Sequence, residues 1–150
     1  MKALFSIITV TYNNNAGLKR TARSITAQLC NDYEWIVIDG GSHDGSTDFL
    51  QNTNAQWVSE PDHGIYDAMN KGIDRAAGDY LIFMNAGDEF AGEHTLRDIK
   101  AAINKTSKAP DFIYGDARED GFYKPARGHR KIARGMFTHY QTMLYGRDKI

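Results

Sequence analysis

The stretch Asp79-Tyr80-Leu81-Ile82-Phe83-Met84-Asn85-Ala86-Gly87-Asp88-Glu89-Phe90 decides how this chain folds. Tyr80 to Met84 is an unbroken apolar run, bounded by Gly78-Asp79 before it and by Asn85-Ala86-Gly87-Asp88 after it. A short apolar run between turn residues fits a strand buried on both faces, as in a parallel sheet. The polar cluster then falls at the strand's C-terminal end, the edge where ligands bind in open α/β sheets. Gly87 lets the backbone approach a ligand closely. A carboxylate from Asp88 or Glu89 at that edge can hold a divalent cation, and the cation can hold phosphate oxygens. An ordinary strand-to-loop turn has the same composition, so this stretch alone does not choose between the two.

Outward from this strand, the chain alternates short apolar runs with segments of helical period. Leu4 to Thr11 is rich in β-branched residues and predicts a first strand. Leu18, Ala22, Ile25 and Leu29 recur at helical spacing, predicting a helix from Ala16 to Leu29. Glu34 to Ile38 is a second strand, ending at Asp39-Gly40-Gly41-Ser42-His43-Asp44-Gly45-Ser46. Ser46 or Thr47 is expected to cap a short helix through Leu50, with Asp44 a turn or cap residue. Gln56 to Ser59 predicts a third strand, and Glu60-Pro61-Asp62-His63-Gly64 a loop. Ile65, Ala68, Met69, Ile73 and Ala76 give one apolar face to a third helix, stopped by Gly78. Glu93 to Asn104 predicts a fourth helix, and Phe112 to Tyr114 a short strand. Residues 117–135 suggest loop or hairpin, and Phe137 to Ile150 shows no clear period.

Alternating strands and helices predict one α/β domain over 1–150 with a mostly parallel sheet flanked by helices. Three strand ends carry polar or glycine-rich loops: Thr11-Tyr12-Asn13, Asp39 to Ser42, and Asn85 to Asp88. On a parallel sheet these loops share one edge, and their convergence favours a ligand site more than any one of them does.

Composition sets the bounds. The 150 residues are 41% hydrophobic, enough for a core, with 18 basic against 19 acidic side chains. That balance carries no electrostatic footprint for nucleic acid. Basic residues gather late, at Lys124, Arg127, Arg130, Lys131 and Arg134, where they could face phosphates, anionic lipid or only solvent. Cys30 is the single cysteine, so no disulfide framework or cysteine metal site forms within one chain. The apolar stretch Ala3 to Val10 is too short to span a membrane and lacks a signal peptide's cleavage pattern. No Gly-x-Gly-x-x-Gly follows the first strand, which argues against a dinucleotide-dependent oxidoreductase.

Four motifs, in order, resemble a known family. Ile7-Ile8-Thr9-Val10-Thr11-Tyr12-Asn13 and Val37-Ile38-Asp39-Gly40-Gly41-Ser42-His43-Asp44-Gly45-Ser46 look like the start of a family 2 glycosyltransferase of the GT-A fold. Ser59-Glu60-Pro61-Asp62-His63-Gly64-Ile65-Tyr66-Asp67-Ala68-Met69-Asn70-Lys71-Gly72 is similar to a branch that builds bacterial surface polysaccharides, colanic-acid-type enzymes among them. Met84-Asn85-Ala86-Gly87-Asp88-Glu89 stands where the family has its acidic metal-binding motif.

The resemblance implies transfer of a sugar from a nucleotide-diphosphate sugar, often UDP-linked, to an acceptor hydroxyl, mostly with inversion and with Mg²⁺ or Mn²⁺. It implies that Val10 and Tyr12 border the uracil, that Asp39 accepts a hydrogen bond from the base or its neighbourhood, and that Asp88 is the metal ligand. Asp62, Asp67 and Lys71 fall near the sugar or diphosphate on this reading, whereas Asp67 and Lys71 are equally an i,i+4 surface pair. The acceptor would be a glycan or lipid-linked hydroxyl. The location would be cytoplasmic, peripheral at the inner membrane face through the acceptor, with a homo-oligomer one expected state.

The departures matter. Many relatives have two adjacent acids where this chain has Asp39-Gly40, and aspartates where it has Asn85 and Gly87. The general base that inversion needs is not placed by resemblance. Asp116, Glu119, Asp120 and His139 are candidates because they come late and can accept a proton. Phe137-Thr138-His139-Tyr140-Gln141 is similar to a His-Gln motif of the same branch, with Tyr140 intervening. His139 is there a metal ligand, an acceptor contact or a polar helix start. The donor-binding half is expected at about 1–90. Met143, Leu144 and Tyr145 have no evident element to pack against, so a truncated or minimal form with a mobile or partner-held C-terminal segment is expected. A non-catalytic nucleotide-sugar-binding module is the alternative reading.

Overall fold

The computed structural model describes residues 2–126 and 142–150. His139 and the basic residues from Arg127 to Arg134 lie outside the described residues, as does the whole of the predicted His-Gln motif.

Among the described residues, eight strands and four helices follow in order: β1 Phe5–Thr11, α1 Asn15–Thr26, β2 Tyr33–Asp39, α2 Ser46–Leu50, β3 Gln56–Ser59, α3 Ile65–Arg75, β4 Tyr80–Phe83, α4 Thr95–Asn104, β5 Phe112–Tyr114, β6 Ala117–Glu119, β7 Phe122–Lys124 and β8 Met143–Gly146. A 3₁₀ turn, Arg147–Lys149, follows β8. Six strands form one sheet in the order β3-β2-β1-β4-β8-β5, and β6 pairs with β7 as a separate hairpin. The pairs β3–β2, β2–β1 and β1–β4 are parallel, while β8 runs antiparallel to both β4 and β5. The mostly parallel α/β sheet expected from the sequence is therefore present.

Alternation along β1 divides the core. Phe5 and Ile7 point with Trp35, Val37 and Ile82 into a layer closed by Leu18 and Ile25 of α1, Leu50 of α2 and Leu96 of α4. Ile8 and Val10 point with Ile36, Ile38, Leu81 and Phe83 into a second layer closed by Ala68 and Met69 of α3. Both faces of the central strands are thus covered, which is why β1 and β4 are buried along their whole length, Ser6, Thr9 and Thr11 included.

The structure corrects three local expectations and decides between the alternatives of a fourth. Helix α1 stops at Thr26, and Leu29 is exposed; the residue that works beyond the helix is Gln28, whose Nε2 donates to the Gly92 carbonyl and whose Oε1 accepts from Leu96 N in the first turn of α4. Gly45, at φ 89°, sits where Ser46 or Thr47 was expected to cap α2, and the Asp44 carboxylate accepts from Ser46 N and Oγ instead. Residues 117–124 resolve the loop-or-hairpin choice as a hairpin turning at Asp120-Gly121, both at positive φ. Most consequentially, Met143 and Leu144 do have an element to pack against. They form the strand between β4 and β5 and are buried, because a four-residue central strand is too short to show a period.

Candidate active site at the strand ends

The chain runs β1, β2, β3 outward in one direction, then returns across β1 to place β4 on its other side. The crossing between β1 and β4 is a topological switch point, and the crevice outside the strand C-termini there is the usual ligand position in open α/β sheets. All four parallel strands deliver their following loops to this edge.

Those loops are tied to one another. Ala86 N donates to the Val10 carbonyl at 3.0 Å, and Asn14 Nδ2 donates to the Ala86 carbonyl at 3.0 Å. Asn13 N donates to Ser42 Oγ at 2.7 Å, and His43 N to Asn13 Oδ1 at 2.9 Å. The Thr21 hydroxyl accepts from Gly87 N at 2.9 Å and donates to the Asp88 carbonyl at 2.7 Å. Thr21 therefore holds the turn in which Gly87 takes φ 112°, a conformation that favours glycine. Sequence reasoning missed Thr21. The available signal was its place at helical spacing among Leu18, Ala22 and Ile25, where a buried hydroxyl needs a partner.

The two acids at the strand ends sit in different surroundings. Asp39 is fully buried, and its carboxylate accepts from Ser42 N at 2.9 Å, from Ser42 Oγ and from Ser59 Oγ. Asp88 is half-buried and accepts one bond, from Asn85 N at 2.9 Å. Burial raises its carboxyl above the ordinary value, with the Asn85 bond a smaller opposing influence. It has no ion-pair partner among the described residues.

Tyr12 is 64% exposed at the end of β1, whereas the Val10 side chain is buried in the α3-side layer and offers the edge only its backbone. A Cβ on Gly40 would meet Asp62 Oδ2 at 2.8 Å and the Tyr12 ring at 3.2 Å. The Asp62 carboxylate thus occupies the space beside Gly40, held from behind by Gly64 N at 2.9 Å. Lys71 reaches Glu60 at 3.0 Å, Asp67 at 3.5 Å and the Pro61 carbonyl at 3.3 Å, and Asp67 also accepts from His63 N. These contacts pin the loop that carries Asp62 onto α3. They hold the Asp67 carboxyl low, through the His63 N–H first, and the Lys71 ammonium high, through Glu60 first.

On the other side of β4 a cavity of about 530 Å³ brings Asp88 together with Asp116 and Glu119. Asp116 accepts from the Tyr123 hydroxyl and from Ala126 N at 2.8 Å, which hold its carboxyl low, the hydroxyl foremost. Glu119 pairs with Lys124. Asp120 is the left-handed turn residue of the hairpin, at φ 50°, and does not line the cavity. Of the four candidate bases, Asp116 and Glu119 share a space with Asp88, and His139 is outside the described residues.

Among the described residues no group of three His, Cys, Asp or Glu side chains could hold a metal ion unaided. A single half-buried carboxylate without a protein cation fits an ion such as Mg²⁺, which completes its shell with phosphate oxygens and water. The donor set is thus suited to a cation that arrives with a diphosphate.

Residues 6–149 match the profile of glycosyl transferase family 2, and the chain belongs to that family. An uncharacterised glycosyltransferase of Mycobacterium tuberculosis is 43% identical over 103 residues, covering 66% of this chain and 39% of the relative. A PGL/p-HBAD biosynthesis glycosyltransferase of Mycobacterium bovis is 38% identical over 119 residues, covering 75% and 46%. An undecaprenyl-phosphate 4-deoxy-4-formamido-L-arabinose transferase of Aeromonas hydrophila is 33% identical over 110 residues, covering 67% and 34%. The chain therefore spans less than half the length of these relatives. Among solved structures, S. aureus TarS 1-349 in complex with UDP-GlcNAc superimposes with a TM-score of 0.81 at 21% identity, covering 98% of this chain and 46% of that one. The mannosyltransferase PcManGT of Pyrobaculum calidifontis, in complex with GDP-Man and Mn²⁺, gives 0.73 at 15% identity, covering 99% and 46%. These structures share the fold. No helix of the described residues is long and apolar enough to cross a membrane.

Proposed function

We propose that this chain is the donor-binding and catalytic part of an inverting glycosyltransferase that moves a sugar from a UDP-sugar to a hydroxyl of a glycan or lipid-linked acceptor. The observation that carries the reading is Asp88: a half-buried carboxylate at the β1–β4 switch point, raised by burial and unmatched by a protein cation. Support comes from relatives named for glycosyl transfer, one of them an undecaprenyl-phosphate 4-deoxy-4-formamido-L-arabinose transferase, and from neighbours of the same fold in complex with UDP-GlcNAc or with GDP-Man and Mn²⁺.

Asp88 would hold Mg²⁺ or Mn²⁺ against the donor diphosphate, and the bound ion would supply neutralisation of the charge on the leaving nucleotide. Tyr12 would lie against the base. Asp39 supports that pocket through Ser42 and Ser59, and a direct contact with the base requires one of those hydroxyls to turn away. Asp62 supplies, from the neighbouring loop, the acid that Gly40 lacks. Asp67 and Lys71 act through the loop that positions Asp62. Asp116 or Glu119 would take the acceptor proton as the glycosidic bond breaks through an oxocarbenium-like state.

The test is incubation of the purified chain with a panel of nucleotide sugars and Mn²⁺, reading nucleotide release and transfer to a polyprenyl-linked sugar. Turnover lost in Asp116→Asn or Glu119→Gln identifies the base. Nucleotide binding without turnover on any donor would return the chain to a binding module. Absence of nucleotide binding would overturn the reading.

A further inference from the structure

A second cavity, of about 660 Å³, opens at the opposite edge of the sheet. It lies where β2 and β3 begin, bordered by the last turns of α1 and the residues that follow α2. Nothing in the donor reading uses it. Its volume falls within the ~300–1,000 Å³ usual for small-ligand clefts.

The chemistry of its walls is specific. Tyr33 and Phe49 are half-buried rings, and Trp35 lies deeper, 6% exposed. Their polar ends are spent on the protein: the Tyr33 hydroxyl donates to the Ile25 carbonyl, and the Trp35 indole N–H to Thr9 Oγ1 at 3.0 Å. Lys19 stands over the Phe49 ring, 5.7 Å from its centre. What the rings offer the cleft is carbon surface. The acid in the wall, Glu34, is likewise committed, accepting from Ser6, Ala77, Gly78 and Gln56.

The rim is the reverse. The side chains of Arg23, Asn31 and Asn54 make no hydrogen bond or ion pair among the described residues, and all three line the cleft. Each amide offers two donors and an acceptor, and the guanidinium offers a planar fork of donors. Hydroxyl groups both donate and accept, so free amides match them. A pyranose also presents a carbon–hydrogen face that suits aromatic surface. With one free cation and no free acid among the described residues that line it, the cleft has little to hold a polyanion.

We propose that this cleft is a saccharide-binding site for a neutral oligosaccharide of two or three units, separate from the nucleotide edge. Sugar rings would lie against Tyr33 and Phe49, with hydroxyls bridged by Asn31, Asn54 and Arg23. The inference rests on this cleft alone and not on the donor reading. Its role would be to hold glycan near the enzyme without touching the reacting atoms.

The test is an NMR titration of the isotope-labelled chain with cellobiose, maltose and N,N′-diacetylchitobiose, each repeated with saturating UDP. At least one sugar should shift the amides of Asn31, Tyr33, Asn52 and Asn54 saturably, equally with and without UDP. The double variant Arg23→Ala/Asn54→Ala, both exposed changes, should keep its unfolding midpoint and weaken that sugar at least about tenfold. Shifts confined to the loops after β1 and β4, an unaltered affinity in the variant, or no shift with any of the three sugars would overturn the proposal. UDP titrated alone reports on the nucleotide edge, so the two readings fail separately.

Discussion

The end of β2 and the end of β4 each carry an aspartate on the same edge of the same sheet, and the protein treats them in opposite ways. Asp39 is buried and surrounded by donors from Ser42 and Ser59. Asp88 is half-buried, receives one backbone donor, and is raised by its burial. A carboxylate saturated by its own chain stabilises the fold. A carboxylate left short of partners costs stability until something else arrives. The contrast teaches that an acid's place at the ligand edge does not give its role; its count of internal donors does.

The largest expected effect lies at Asp39. Asp39→Ala would strand three donors, at least two of them buried, and each stranded buried donor costs ~1–3 kcal/mol. Urea unfolding should show a loss of roughly 3 kcal/mol or more, with UDP affinity falling more than about tenfold. A loss below about 1 kcal/mol would break the comparison at its first limb.

Asp88→Asn should do the reverse. Mn²⁺-dependent UDP affinity, measured by calorimetry with and without EDTA, should drop at least about tenfold, to the level without metal. The unfolding midpoint of the metal-free chain should hold or rise, by less than the ~4 °C expected for 1 kcal/mol in a chain of this size. A fall in both would make Asp88 structural like Asp39.

Acidity sharpens the same point. A carboxyl raised on folding contributes stability that is fully present below 3.8 and lost as pH rises through its higher folded value. The metal needs the ionised form, so Mn²⁺-dependent affinity should fall as pH drops through that raised value, above the ordinary 3.8. Asn at position 88 should flatten the stability slope in this window. An unchanged slope would mean that burial of Asp88 carries no such linkage.

The smallest effect is expected at Asp67. Its bonds to His63 N and Lys71 are on an exposed surface, so Asp67→Asn should change UDP affinity less than about twofold. A larger loss would mean either that the Asp62 loop depends on Asp67 for its position or that Asp67 meets the sugar itself.

Much of this was legible in the sequence where local pattern and tertiary role coincide. β4 and the second half of β2 are continuous apolar runs and β1 is rich in β-branched residues, because both sheet faces are covered, so their burial and their polar ends could be read directly. Asp88 could be placed by its position after such a run. The bonds that separate Asp39 from Asp88 could not, since Ser59 reaches Asp39 from another strand and no spacing records that. Strand β8 was illegible for a different reason: its pairing with β4 and β5 is set by distant partners, and its four residues are too few for a period. The saccharide cleft joins α1, β2, α2 and β3, and its amides look in the sequence like any loop residues.

Strand β8 enters the sheet beside β5, and Gly115 N donates to the Thr142 carbonyl at 3.0 Å. Gly115 and Thr142, which flank the excursion from 116 to 141, are therefore held together by a main-chain bond. For such a clamped excursion, doubling its length adds only ~0.6 kcal/mol of closure entropy. Its length can therefore change at little cost in closure entropy so long as Asp116 and Glu119, which share a cavity with Asp88, are kept. On the proposed function, acceptor preference would travel with this segment, and a graft of it between relatives that keeps Asp116 and Glu119 should carry specificity with it.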